Sequence, residues 1–312
     1  MTSTLRISTL GVSSDYRSSV TPQVLASCGY LIEWVDLRHA DLLIVGPFAS
    51  PKKHSRWTPK PLRPMFEAIH NRFVSPYRPL TLFQTGENIR HDHIACDYAI
   101  SFDLGVNTPN HYRMPYWMEV IDWSDDGITG NQNPRFGSLV DIKRLMRPLG
   151  NQFLTKPFRA ALFASHVREP RRTLIEALKR HMEVQGFGPA FDSQIKHHSS
   201  SHYTKKQVLE NYRCNLCPEN NLYPGYYTEK ILEAFAADSL PLTWTDSCVN
   251  VDFNPDAMIN LAPMMAMDFE QLEDAIQPAS LKKYAEQPLM HKPPSIQGLR
   301  QFLQKIAHEA TS

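Results

Sequence analysis

Short apolar runs, rich in branched residues and ended by Gly or Pro, alternate with amphipathic stretches along the first half of the chain. Residues 5–10, 30–35, 41–45, 80–85 and 98–102 read as strands on that basis. Residues 62–73 read as a helix, because Phe66, Ile69 and Phe73 fall on one face at helical spacing. Residues 139–146 read as a second helix. Alternation of strand and helix predicts a parallel sheet covered on its faces.

The pattern breaks at Arg147-Pro148-Leu149-Gly150 and then resumes. Residues 158–165 form a predicted strand. Residues 171–183 form a predicted helix with Leu174, Ala177, Leu178 and Met182 on its apolar stripe. A short helix over 208–212, a buried strand over 213–217, a helix over 228–237 and a strand over 240–244 follow. Helices over 268–276 and 297–308 complete the chain. The expected organisation is one α/β unit over 1–150, a second over 151–290, and a closing segment over 291–312 whose helix packs back on the first unit. In paired α/β units, ligands sit at the carboxyl ends of the strands. Residues just after strands and at helix starts are therefore the ones to examine.

Composition narrows the field. Of 312 residues, 42% are hydrophobic and 21% charged, enough apolar material for a core and too little charge for a disordered chain. With 33 basic against 32 acidic residues, the formal charge is +1, so no broad field is available to hold nucleic acid or an anionic membrane. The five cysteines are Cys28, Cys96, Cys214, Cys217 and Cys248, an odd and sparse set that fits reduced thiols better than a disulfide framework. No stretch has the ~20 apolar residues of a membrane span, and residues 1–10 lack the form of a secretory signal. The expected location is a bacterial cytoplasm, either free or peripheral to the inner membrane.

The most informative segment runs from Tyr212 to Lys230. It reads as a strand, a polar turn and a helix start, with Thr228 placed to cap the helix. Free amides at a helix start attract phosphate. Lys230 puts a full positive charge in the first turn, against the helix dipole, a placement that calls for an anionic partner. Glu229 can accept hydrogen bonds from sugar hydroxyls, and Asn220 and Tyr226 add polar contacts from the turn.

Here the chain resembles the α-1,3/α-1,4-fucosyltransferases of glycosyltransferase family 10, bacterial type. Their hallmark is an Asn-Leu-Cys-Phe-Glu-Asn run, a turn, and Tyr-Val-Thr-Glu-Lys. This chain reads NLCPENNLYPGYYTEKILEAFAADSLPLTW over 215–244, with DFNP over 252–255. Weaker collinear likeness covers Thr85-Gly86-Glu87-Asn88, residues 97–103 and residues 113–116. Departures are Pro218 for Phe, Tyr227 for Val, and Asp238 and Thr245 where Gly is common. Asp accepts a left-handed backbone; Thr does so poorly.

The resemblance implies a GT-B fold, two Rossmann-like domains facing each other across a cleft, with the acceptor on the first and GDP-fucose on the second. It implies an inverting enzyme that moves L-fucose from GDP-β-L-fucose to O3 or O4 of a GlcNAc- or Glc-containing, Lewis-type glycan. By the family pattern Lys230 contacts the diphosphate, shared with Arg171 or its neighbour Arg172. Arginine suits that task because its planar fork binds phosphate oxygens in pairs. Glu229, Tyr226 and Asn220 line the ribose and fucose region. The acceptor base falls on Glu87, with Asn88 orienting it and Asp92 as a rival carboxylate. Glu229 steadies positive charge on the ring, and the two cations take up charge on the leaving GDP. No metal or other cofactor is required on this reading. The implied partners are the nucleotide sugar and an oligosaccharide. A GT-B transferase for another nucleotide sugar and a non-catalytic nucleotide-sugar-binding protein are the alternatives.

Other features carry less. Tyr112, Tyr116, Trp117 and Trp123 could stack on sugar rings or fill a core, with Tyr116 and Trp117 as candidate acceptor contacts. Arg56, Lys60 and Arg63, near Trp57, read as a solvated face. His91-Asp92-His93 and the His197, His198, His202 patch have no accompanying ligand cluster and read as polar loops. Cys214 and Cys217, three apart on a strand, diverge and read as buried thiols.

Overall fold

The computed structural model describes residues 3–49, 78–192 and 203–312. The helix expected over 62–73, the cluster of Arg56, Trp57, Lys60 and Arg63, and the histidine patch over 197–202 lie outside those residues. Two parallel sheets carry the fold. The first contains β1 (Ser3–Leu10), β2 (Tyr30–Trp34), β3 (Leu42–Val45), β4 (Leu80–Gln84), β5 (Tyr98–Ser101) and β6 (His111–Arg113), ordered β2-β1-β3-β4-β5-β6. The second contains β7 (Arg159–Phe163), β8 (Glu183–Phe187), β9 (Cys214–Leu216), β10 (Leu240–Thr243) and β11 (Ile259–Asn260), ordered β11-β10-β9-β7-β8.

The central strands are apolar, Thr243 apart, because both of their faces are covered: all four residues of β3 and all four of β10 are buried. The strands absent from the sequence reading are β6, β8 and β11. Each lies at a sheet edge, where one flank is open and a continuous apolar run is not needed. The helix expected over 171–183 is shorter, Arg171–Lys179, and residues 183–187 turn into β8. The helix expected over 139–146 is a single turn, Ile142–Leu145, capped by Asp141. The one expected from residue 268 starts at Leu272, because Asp268 and Phe269 both have left-handed backbones (φ 48° and 62°). A helix at Val20–Ser27 was not legible, since Val20, Thr21 and Pro22 are poor helix formers at its start. Asp238 does adopt a left-handed backbone (φ 54°), whereas Thr245 is not among the positive-φ residues.

The last helix, Gln297–Thr311, packs against the helix Val20–Ser27 and against β1 and β4 of the first sheet. Leu299, Leu303, Ile306 and Ala307 form its buried stripe. Arg300 donates to the Asp126 carbonyl (2.6 Å) and to Ser27 Oγ (3.0 Å), and Phe302 packs on Tyr98 and Tyr112. Between the sheets, the stretch after β6 turns toward the second sheet. Asn133 bonds Glu233 in the helix Glu229–Ala236, and Arg144 bonds Asp238 just past its end.

Candidate active site

A cleft of about 730 Å³ opens between the two sheets, a volume within the usual range for small-molecule sites. The ends of β4 and β7 and the start of the helix Glu229–Ala236 all line it. Of the residues singled out from sequence, Glu87, Tyr116, Arg171, Asn220, Tyr226, Glu229 and Lys230 line this one space.

On the first-sheet wall, β4 ends at Gln84 and the chain turns through Thr85, Gly86 and Glu87. Thr85 Oγ1 accepts from the Glu87 N–H at 3.0 Å and donates to its carbonyl at 3.2 Å, which fixes the turn. Glu87 is exposed at the cleft. Gly86 is required by the close approach of Tyr116: a Cβ there would lie 2.4 Å from the Tyr116 ring. Asn88 is partly exposed and does not line the cleft. Trp117 does not reach it either. It is 5% exposed and packs on Phe253 with ring centroids 5.7 Å apart, so it is a core residue rather than an acceptor contact. Trp123 is also buried in the core.

The sequence reading missed Glu119 on the same wall. It accepts from the Val20 N–H (2.7 Å) and from Gln84 Nε2 (3.3 Å), and Gln84 is held in turn by Tyr16. Burial, reinforced by the charge of Asp15, raises the Glu119 carboxyl to about 7 against the lowering effect of the Val20 hydrogen bond. Nothing in its local sequence marks it, because the effect arises from residues roughly a hundred positions away.

On the second-sheet wall, Arg171 opens its helix after β7 and is 7% exposed. Its Nη2 donates to Asn220 Oδ1 at 2.6 Å, which ties two expected donor contacts together. Arg172 points away, with its side chain 63% exposed near Glu169. Lys230 reaches Glu219 Oε2 at 3.0 Å and Thr228 Oγ1 at 2.6 Å. Glu219, fully buried, also accepts from the Thr228 N–H (2.8 Å) and hydroxyl. Thr228 therefore stands at the N-cap position without a side-chain cap bond, because the buried carboxylate has taken its hydroxyl. The anionic partner that Lys230 called for exists within the protein, and sequence reasoning did not assign it to Glu219.

An ammonium has three N–H groups. Two of Lys230's are engaged, and the side chain lines the cleft, so the third is available to a ligand. Burial acts to raise the carboxyl of Glu229, but the charges of Lys230, Lys205 and Arg135 and its own N–H outweigh it and hold the group at about 2. Glu229 is thus a carboxylate at any physiological pH. Behind it, Glu233 is buried and ion-paired with Lys205 at 2.6 Å.

Cys214 and Cys217 are both buried free thiols, pushed up to about 12 by burial. His91 uses its Nδ1 on Asp103 at 3.1 Å. Among the described residues, no group of three or more His, Cys, Asp or Glu is placed to hold a metal ion. No helix among them is long and apolar enough to cross a membrane.

Residues 154–281 match the family described as "Glycosyltransferase family 10 (fucosyltransferase) C-term", and residues 62–119 match "Alpha-(1,3)-fucosyltransferase FucT N-terminal domain". Together the two matches cover more than half of the chain. The chain belongs to glycosyltransferase family 10. An "Alpha-(1,3)-fucosyltransferase FucT" of Helicobacter pylori is 27% identical over 215 residues, which is 62% of this chain and 42% of that protein. The family 10 chain therefore spans less than half the length of that relative. Among solved structures, a crystal structure of an α1,3-fucosyltransferase superposes with a TM-score of 0.68 at 21% identity, covering 98% of this chain and 90% of the other. A crystal structure of an α1,3-fucosyltransferase with GDP-fucose gives 0.66 at 21% identity, covering 98% and 91%. This likeness establishes the fold of the family 10 chain as GT-B, with two parallel α/β sheets flanking a cleft.

Proposed function

We propose that this chain is an inverting fucosyltransferase that moves L-fucose from GDP-β-L-fucose to O3, or O4, of a GlcNAc- or Glc-containing glycan of Lewis type. The observation that carries the reading is the meeting of Glu87, from the first sheet, with Arg171, Asn220, Tyr226, Glu229 and Lys230, from the second, in one cleft.

In this mechanism the diphosphate lies between Arg171 and the helix start at Lys230. The guanidinium and the free ammonium N–H neutralise charge on the leaving GDP. Glu87 accepts the proton of the acceptor hydroxyl as that oxygen attacks the anomeric carbon from the face opposite the diphosphate. One bond forms as the other breaks, so the configuration inverts. Glu229, held ionised, faces the ring as positive charge grows there. Tyr116, 37% exposed beside Glu87's turn, offers its ring to the acceptor sugar. Two protein cations carry the leaving-group charge, so the reaction proceeds without a divalent metal. The free cysteines suit a reducing cytoplasm.

The test is a transfer assay with GDP-fucose across a panel of neutral glycans, with calorimetric titration of GDP-fucose, GDP-mannose and UDP-galactose alongside. The reading expects GDP-fucose to bind most tightly and fucose to appear on a GlcNAc- or Glc-containing acceptor with an α linkage. Tighter binding of UDP-galactose, or transfer of another sugar, would reassign the donor.

A further inference from the structure

The two walls of the cleft touch close to the chemistry, beside the contacts that Arg113 makes with the Gly225 carbonyl (3.3 Å) and with Asp252 (2.7 Å). Arg90 lies three residues after Glu87 on the first-sheet loop. Tyr223 lies three residues after Asn220 and three before Tyr226 on the second-sheet loop. The Arg90 guanidinium carbon stands 3.9 Å from the centroid of the Tyr223 ring.

Both partners are anchored from behind. Arg90 is ion-paired with Asp103, whose side chain is fully buried. Asp103 is fixed by the His91 N–H (2.7 Å), His91 Nδ1 (3.1 Å) and Ser101 Oγ (2.8 Å). Tyr223 accepts the Tyr226 N–H on its carbonyl at 3.0 Å, which closes the turn of the donor loop. Phe102 meets both rings edge-on, at 5.7 Å from Tyr223 and 5.0 Å from Tyr226. A run of contacts thus leads from the turn bearing Glu87, through Arg90 and Tyr223, to Tyr226. The donor-side cations are held otherwise: Arg171 by Asn220, and Lys230 by Glu219 and Thr228, all within the second wall.

We propose that Arg90 is a positioning residue whose stacking on Tyr223 sets the distance between the acceptor base and the donor sugar; the proposal rests on the fucosyltransferase reading of the cleft. A cation over a partly desolvated aromatic face is attracted without needing a fixed hydrogen-bond angle. It therefore holds two loops in contact while the groups around them exchange ligands. Displacement error of about 1 Å at a reacting centre costs on the order of 10²-fold in rate. Loss of the stack should thus lower turnover and spare donor binding.

The test begins with Tyr223→Leu, which removes the ring and leaves the Arg90–Asp103 pair intact. Tyr223→Phe keeps the ring as a control, and Arg90→Met and the double variant complete the cycle. Expected results are a fall in kcat on the order of 10–100-fold for Tyr223→Leu and Arg90→Met, with the KM for GDP-fucose and the Kd for GDP changed by less than about 3-fold. The double variant should lose no more than either single one, and Tyr223→Phe should match the unsubstituted chain. Full turnover in Tyr223→Leu, or an equal loss of GDP binding, would overturn the proposal.

Hydrogen exchange reads the bridge independently of transfer. GDP should slow exchange over residues 85–91 in the unsubstituted chain and not in Tyr223→Leu, while protecting residues 220–227 in both. Identical protection of residues 85–91 in the two proteins would also overturn the proposal. If the unsubstituted chain transfers no fucose yet GDP protects both loops through Tyr223, the fucosyltransferase reading fails and the bridge stands.

Discussion

Lys230 and Glu219 form an ion pair, Nζ to Oε2 at 3.0 Å, at the point where the helix Glu229–Ala236 begins. Glu219 is fully buried and Lys230 nearly so, with 17% of its side chain exposed. The pair keeps the ammonium extended at the cleft edge before any ligand arrives. It also explains how a cation is tolerated at the positive end of a helix. The charge of Glu219, followed by those of Glu229 and Tyr226, raises the Lys230 pKa despite burial, which acts to lower it.

Removing one charge of such a pair leaves the other uncompensated. Glu219→Gln should therefore cost about 3–5 kcal/mol of stability, read as a lowered midpoint in urea unfolding. GDP should restore more of the melting temperature in this variant than in the unsubstituted chain, because the diphosphate supplies the missing anion. Equal GDP-induced shifts in the two proteins would count against a diphosphate at Lys230.

Glu87 should behave differently. It is exposed, and its side chain enters no ion pair among the described residues. Glu87→Gln should leave the melting temperature within about 1 °C, since surface substitutions rarely exceed about 0.5 kcal/mol, while lowering the transfer rate by about 10²–10⁴-fold. GDP affinity should not change. Retention of full rate would remove Glu87 from the role of base.

Glu119 gives the protein a stability that depends on pH. Its folded carboxyl sits at about 7, above the ordinary 4.5. The folded state therefore holds a proton that the unfolded state has released. The associated stability is fully present below about pH 4.5 and is lost as pH rises through about 7. Glu119→Gln, which mimics the protonated form, should melt higher relative to the unsubstituted chain at pH 8 than at pH 5. A difference that stays constant across that window would contradict the shift.

Tyr116 and Trp117 are adjacent in sequence and separate in consequence. Trp117→Ala should cost about 3–5 kcal/mol by opening a cavity and should leave the acceptor KM of the surviving folded protein unchanged. Tyr116→Ala should cost little stability and should raise the acceptor KM. Steady-state kinetics beside chemical denaturation would separate the two, and an acceptor KM that follows Trp117 instead would reverse the assignment.

The contrast between these neighbours shows where the sequence was readable. Buried parallel strands such as β3 and β10 announce themselves, because every residue is buried and, Thr243 apart, apolar. Edge strands such as β6 and β8 do not, because each has a neighbouring strand on one side only and its residues are not fully buried. The 212–230 segment was legible as a cleft wall because strand, turn and helix start are contiguous, so one run of residues brings Asn220, Tyr226, Glu229 and Lys230 to the cleft. What stayed hidden depends on contacts between distant parts of the chain. Glu119 owes its raised carboxyl to burial, with the charge of Asp15 adding to it, and neither is visible from its neighbours in sequence. Periodicity alone could not tell which of Tyr116 and Trp117 faced the cleft, because the 116–120 turn is 3₁₀ rather than strand or α-helix. Thr228 looked like a simple cap because Glu219, nine residues earlier, could not be seen to reach it.

The order of synthesis bears on the final helix. Gln297–Thr311 supplies part of the covering layer for β1 and β4, strands made some two hundred or more residues earlier. During translation the second sheet can close on itself while the first still waits for Leu299, Leu303 and Ile306 to emerge. The first sheet is thus the last to mature, and a premature stop just before residue 297 would strip its apolar flank while leaving every strand of the second sheet in the chain.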